Sequence, residues 1–282
     1  MKNLLSKLPL PAFLKRRRPR VMVIRLAGVI GQAGAMRKGL TLDSLSEAIA
    51  KAFASEKTAA VALQINSPGG SPVQSSLIQR RIRQLADEKN IPVYAFAEDV
   101  AASGGYWLAM AADEFYADAG SIVGSIGVVS AGFGFEEAIA KLGIERRMHT
   151  AGTRKAMLDP FQKERPADVK KLKEIQADLH GLFQELVQES RGDRLKGEAK
   201  DLFSGDVWTG RQAVELGLID GLGDLRTIMR EKFGKKVRFQ VVNEPRGGLR
   251  RLFGGSAGLN SDLAGNVLAT LEERALWSRF GL

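Results

Sequence analysis

Apolar runs alternate along the chain with amphipathic, helix-like stretches and glycine-rich breaks. "VMVIRL" (Val21 to Leu26) reads as a buried strand that ends at Gly28 and Gly31. In "LDSLSEAIAKAFA" the apolar positions Leu42, Leu45, Ala48, Ile49, Ala52 and Phe53 recur at helical spacing. "AAVALQI" (Ala59 to Ile65) predicts a second strand, stopped by "NSPGGSP", and a polar amphipathic helix follows from Val73 to Ala86. "PVYAFA" (Pro92 to Ala97) predicts a third strand. After it comes "AEDVAASGGYWLAMAAD", in which Ser103 and two glycines stand before a short apolar helix.

Further along, "SIVGSIGVVSAG" (Ser121 to Gly132) reads as a strand, Phe135 to Leu142 as a helix, and Arg146 to His149 as another strand. "TAGTRKAMLDPF" (Thr150 to Phe161) reads as a loop stopped by Pro160. A long helix is expected from Ala167 to Glu189, and one more beginning near Gly210 within "GDVWTGRQAVELGLIDGLGDL". Strands alternating with helices imply crossover connections, hence an α/β fold with mostly parallel strands and helices outside. Such sheets gather reactive groups where strands end and helices begin. The loops Asn66 to Gly70 and Ala101 to Gly105 both lie at such ends and are expected to meet at one site. No internal repeat is visible.

Composition narrows the chemistry. Of 282 residues none is cysteine, which excludes disulfides, thiolate catalysis and cysteine-based metal centres. Two histidines, His149 and His180, make a multi-histidine metal site an improbable expectation, and no metal or other cofactor is expected. The formal charge of +10 is concentrated at the start: ten basic residues and no acidic one precede Asp43, so the remainder is neutral. That pattern points to an anionic surface met by the N-terminus, not to a nucleic-acid-binding core. No stretch is apolar for long enough to span a bilayer. "MKNLLSKLPLPAFLKRRRPR" lacks the cleavage site of a signal peptide and reads either as a peripheral anchor to anionic lipid or as a basic tail. Three regions are expected: a basic amphipathic segment over 1–19, a catalytic body over 20–244, and a Gly-, Arg- and Ser-rich tail over 245–282.

Ser103 admits two readings, a helix N-cap or a nucleophile. A nucleophilic serine needs a base. His180 lies in the polar long helix as a solvated face residue, and His149 ends a strand with no feature marking it. A lysine serves only where burial or neighbouring positive charge keeps part of it neutral. Lys155 stands among Gly152, Ala156, Met157, Leu158 and Phe161, which offer an apolar wall; the other reading is a surface lysine.

The segments "NSPGGS", "AASGGYWLA", "GSIGVV", "GTRKAMLDPF" and "GDVWTGRQAVELGLIDGLG", in this order and spacing, resemble the signal peptide peptidase SppA family over residues 20 to 235. Members are serine peptidases with a Ser–Lys dyad on a ClpP/crotonase-like fold of stacked, mostly parallel sheets. The resemblance implies Ser103 as nucleophile, Lys155 as general base, Ser125 as a serine holding that base, and the N–H groups of Gly70 and Gly104 as oxyanion donors. It also implies peptide substrates, remnant signal peptides or other membrane-associated peptides among them, and homo-oligomers whose sites are shared between protomers. Many members carry an N-terminal transmembrane anchor. Here only the basic segment stands in its place, so the expected location is cytoplasmic or peripheral on the cytoplasmic face of a bacterial inner membrane. With 7% aromatic residues, small or aliphatic substrate side chains are expected over charged ones. Two other readings compete: a crotonase-like acyl-CoA enzyme, for which Glu98 or Asp99 would supply the carboxylate, and a membrane-surface binding protein without turnover.

Overall fold

The computed structural model describes residues 18–31, 39–243 and 274–281. Most of the basic N-terminal segment and residues 245–273 of the tail lie outside the described residues. In chain order the elements are β1 (Arg20–Ala27), α1 (Leu42–Phe53), β2 (Thr58–Ser67), α2 (Pro72–Lys89), β3 (Val93–Ala102), α3 (Gly104–Ala109), β4 (Glu114–Ala117) and β5 (Ile122–Gly124). They continue with α4 (Glu136–Lys141), α5 (Pro166–Arg191), α6 (Ala199–Leu202), β6 (Val207–Thr209), α7 (Gly210–Glu215), β7 (Gly221–Leu222), α8 (Leu225–Phe233) and β8 (Arg238–Val241).

The strands join in one eight-stranded network. Its main order is β6-β5-β3-β2-β1-β8, with β4 also on β3 and β7 on β4. Every pairing is parallel except β5 with β6. The central strands are apolar almost throughout because both faces are covered. On one face Ile24, Leu26, Leu63 and Ile65 pack with Ile49 of α1 and Ile78 and Ile82 of α2. On the other, Val21, Val23, Ala60, Ala62 and Phe96 pack with Met229 of α8. A capping box at Thr41 starts α1, and Ser71 with Pro72 starts α2, both favourable helix openings. Of the tail, Phe280 is half-buried at a cleft of about 580 Å³ lined also by Val23, Phe96, Phe239 and Val241.

Three expectations need correction. The third strand does not stop at Ala97 but runs on to Ala102. The strand expected over 121–132 is confined to Ile122–Gly124, because Gly124 and Ser125 take φ values of 97° and 52° and turn the chain out of the sheet. Residues 146–149 form no strand. They belong to a stretch that has left the sheet and so lacks a neighbour for its backbone groups; His149 is exposed.

The end of α5 is fixed by a buried ion pair. Arg191 grips Asp220 with two hydrogen bonds of 2.7 and 3.1 Å, Arg194 adds one of 2.9 Å, and the Phe115 N–H donates to the same carboxylate at 2.7 Å. Burial alone would raise the Asp220 pKa. The Arg191 hydrogen bonds, the Phe115 N–H and the two guanidinium charges outweigh it and hold the carboxyl below its usual range. The stabilisation is therefore present above the ordinary Asp value and is lost as pH falls through the lower folded one. Asp220→Asn is expected to cost about 3 kcal/mol near neutral pH, since it strands Arg191, whose side chain is 3% exposed. Urea denaturation should show this deficit shrinking below about pH 4 as the wild-type carboxylate protonates.

Candidate active site

The site forms where β2 and β3 end side by side. Ser67 pairs with Ala101, so the loop leaving β2 runs beside the turn leaving β3. That loop, Pro68 to Gly70, is held from its far side by Ile30, whose N–H donates to the Gly69 carbonyl and whose carbonyl accepts from the Ser71 N–H, each at 2.8 Å. Gly69 turns with φ 107° and lies so close to the β3 turn that an added Cβ would stand 2.8 Å from Ser103 Cβ and 2.9 Å from Gly104 N. Only glycine fits there, because both the conformation and the space exclude a side chain.

Ser103 is itself strained. Its φ of 52° and ψ of −119° are unusual for a residue with a Cβ, and such strain costs on the order of 1–3 kcal/mol. Its N–H donates to Gly124 O at 2.8 Å, and its carbonyl accepts from Trp107 N at 2.9 Å. Its side chain makes no capping bond to α3. The cap reading thus fails, and the hydroxyl is left for other work at a sharp strand-to-helix turn. Gly104 follows Ser103 directly, and Gly70 follows Gly69, which packs against both Ser103 and Gly104. Among the described residues the N–H groups of Gly70 and Gly104 donate to no other backbone group.

Ser125 follows Gly124, the residue that accepts from Ser103 N–H, and is 5% exposed. Its left-handed turn is held by its N–H donating to Asp206 O at 2.7 Å and by its carbonyl accepting from Gly127 N at 2.9 Å. Ser103, Ser125, Gly70 and Gly104 are therefore brought together. Lys155 is not. It lies exposed among the turns between α4 and α5, and among the described residues no hydrogen bond joins it to either serine.

Two further residues make contacts near the site that were not anticipated. His180 is no solvated face residue: it is half-buried on α5, its Nε2 lying 3.1 Å from the carbonyl of Ile126, next to Ser125. Asn66, at the end of β2, bonds β3 through both ends of its amide. Nothing in helix periodicity marks the first; the position of Asn66 directly before "SPGG" is the only cue to the second. Glu98 and Asp99, the carboxylates that an acyl-CoA reaction would need, are engaged by Gln64 and Asn66. Among the described residues no cluster of His, Asp or Glu has the makings of a metal site, and no helix is long and apolar enough to cross a membrane.

Comparison with known proteins supplies the family. The profile of Peptidase family S49 matches residues 86–237. The chain is 48% identical over 97% of its length to a Brucella abortus protein named Na(+)/H(+) antiporter NhaA, but spans only 39% of that protein. It is 32% identical over 82% of its length to a Synechocystis protein named as a candidate protease, covering 84% of it. It is also 31% identical over 81% of its length to the chloroplast serine protease SPPA of Arabidopsis thaliana, covering 35% of that protein. Among solved structures, a variant of the membrane-bound stomatin-specific protease 1510-N superposes with a TM-score of 0.52 over 81% of this chain and 100% of that one, at 15% identity. That likeness concerns the fold. With the profile matched across more than half of its length and protease relatives above 30% identity along most of it, the chain belongs to peptidase family S49, the SppA type of serine peptidase.

Proposed function

We propose that the protein cleaves membrane-associated peptides, remnant signal peptides among them, through a Ser103–Lys155 dyad completed by a neighbouring copy of the chain. The observation that carries this reading is the strained Ser103 turn, with its side chain making no capping bond and with the N–H groups of nearby Gly70 and Gly104 donating to no backbone group among the described residues. Ser103 Oγ attacks the scissile carbonyl carbon and passes its proton to Lys155 Nζ, while the carbonyl oxygen takes up negative charge between the two glycine N–H groups. The amine leaves with the proton held by the lysine. Water then attacks the acyl-serine by the same route in reverse, restoring the serine hydroxyl. Ser125 orients the lysine.

The exposure of Lys155 in a single chain supports a shared site. A lysine serves as a base only where burial or neighbouring positive charge favours its neutral form, and a second copy would supply that cover. The stretch from 128 to 150 that precedes it holds Val129, Phe133, Leu142 and Ile144 at 55–78% exposure, an apolar surface suited to a second copy. A groove of about 500 Å³ lies between α2 and α5, and its apolar side chains would give cover to small or aliphatic substrate side chains. Pro72, Val73, Trp107, Leu182 and Leu186 line it, together with the charged Arg80, Arg83, Glu185 and Glu189. The basic residues of 1–19, at about 1 kcal/mol each near an anionic surface, favour a peripheral place on the cytoplasmic face of a bacterial membrane.

The test is complementation. Ser103→Ala and Lys155→Ala are each expected to be inactive alone and to regain part of the wild-type activity when dissociated, mixed and reassembled. Absence of recovery in assemblies shown to contain both chains would place the two residues in one protomer.

A further inference from the structure

We infer that Asn66 is a positioning residue for Ser103; the inference rests on the proposed role of Ser103 as nucleophile. The starting point is the change of partner within β3. Tyr94 to Ala97 pair with β4, whereas Val100 to Ala102 pair with β5. Against β2 the register breaks at the same place: from Ile65↔Ala97 to Ser67↔Ala101, β3 advances four residues while β2 advances two. Glu98 and Asp99 fall in the break, outside the pairings on either side, a bulge that redirects the strand toward Ser103.

Side chains of β2 replace the missing ladder. Gln64 Nε2 donates to Glu98 Oε1 at 2.6 Å. Asn66 Nδ2 donates to Asp99 Oδ2 at 2.7 Å, and Asn66 Oδ1 accepts from Val100 N at 3.2 Å. From the β5 side, Ser121 Oγ donates to the Glu98 carbonyl. The Asn66 backbone is fixed in turn, its carbonyl accepting from Gly28 N at 2.9 Å. Of these groups Asn66 alone bonds both the bulge and the first residue of the redirected stretch. It also sits directly before the loop that carries Gly69 and Gly70. One amide thereby sets where the nucleophile turn stands relative to the oxyanion loop. A displacement of about 1 Å between reacting groups can cost on the order of a hundredfold in rate.

The arrangement is testable because its donors and acceptors can be exchanged. Asn66→Asp sets a carboxylate against Asp99, and repulsion should lower kcat by about tenfold or more with KM unchanged. Combined with Asp99→Asn both bonds return, the one between the two side chains in reversed sense: the carboxylate introduced on β2 then accepts from the new amide on β3 and, as the wild-type Oδ1 does, from the Val100 N–H. The double variant is expected to recover kcat to within about threefold of wild type. Kinetics are read on the full chain beside melting temperature, and Ser103 labelling by a fluorophosphonate is followed in parallel. Wild-type kcat in Asn66→Asp overturns the inference, as does a loss matched by the unfolded fraction, or a double variant that folds like wild type without recovering. Each of these outcomes, with Ser103 still labelled in the wild type, leaves the nucleophile reading standing. Active Ser103→Ala enzyme would instead remove that reading.

Discussion

Ser103→Ala is expected to lower peptide hydrolysis by more than about a thousandfold while leaving the fold intact. Removing a nucleophile eliminates the covalent route, and what remains is the contribution of substrate binding and oxyanion donors. The stability side follows from the structure. The Ser103 side chain makes no capping bond, so truncating it breaks no helix start, and its backbone bonds to Gly124 and from Trp107 are unaffected by the change. Its left-handed φ is no easier for alanine than for serine, so the strain is unchanged. Melting temperature should therefore stay near that of wild type. Measured kcat/KM on a peptide substrate, read beside a thermal melt, checks both halves.

Lys155→Arg is expected to be as damaging, by about a thousandfold or more, and it is the sharper test of the base. The substitution keeps the positive charge, so any role in anchoring a neighbour or attracting an anion would survive it. A guanidinium stays protonated across the accessible pH range and cannot accept the serine proton. Because Lys155 is exposed in the single chain, the change should cost that chain little stability. Near-wild-type kcat in Lys155→Arg would show that the lysine serves as a charge and not as a base.

The parts of this architecture that depend on burial on both faces were legible in the sequence. β1, β2 and the first half of β3 are near-continuous apolar runs, and the glycines that end them announced the two loops that meet at Ser103. What depends on irregular backbone was not. Glu98 and Asp99 interrupt the apolar pattern of β3, so the pattern ends at Ala97 although the strand runs on to Ala102 and delivers Ser103. The chain resumes the strand because Gln64 and Asn66, on another element, satisfy the break. The left-handed turn at Ser125 cut short an apolar run that periodicity would have continued. His180 read as solvent-facing because its partner, the Ile126 carbonyl, lies 54 residues away and has no side-chain signature. The exposure of Lys155 was likewise invisible: family resemblance names it as the partner of Ser103, but hydrophobic patterning does not say how far it is covered.

Covalent labelling decides whether Ser103 is the nucleophile of a serine peptidase. The full chain is treated with a fluorophosphonate, digested, and the adduct is located by mass spectrometry. Modification at Ser103, loss of peptide hydrolysis in proportion to labelling, and no labelling of Ser103→Ala are expected. Hydrolysis that persists with Ser103 fully modified, or an inactivating adduct on a different residue, would contradict it.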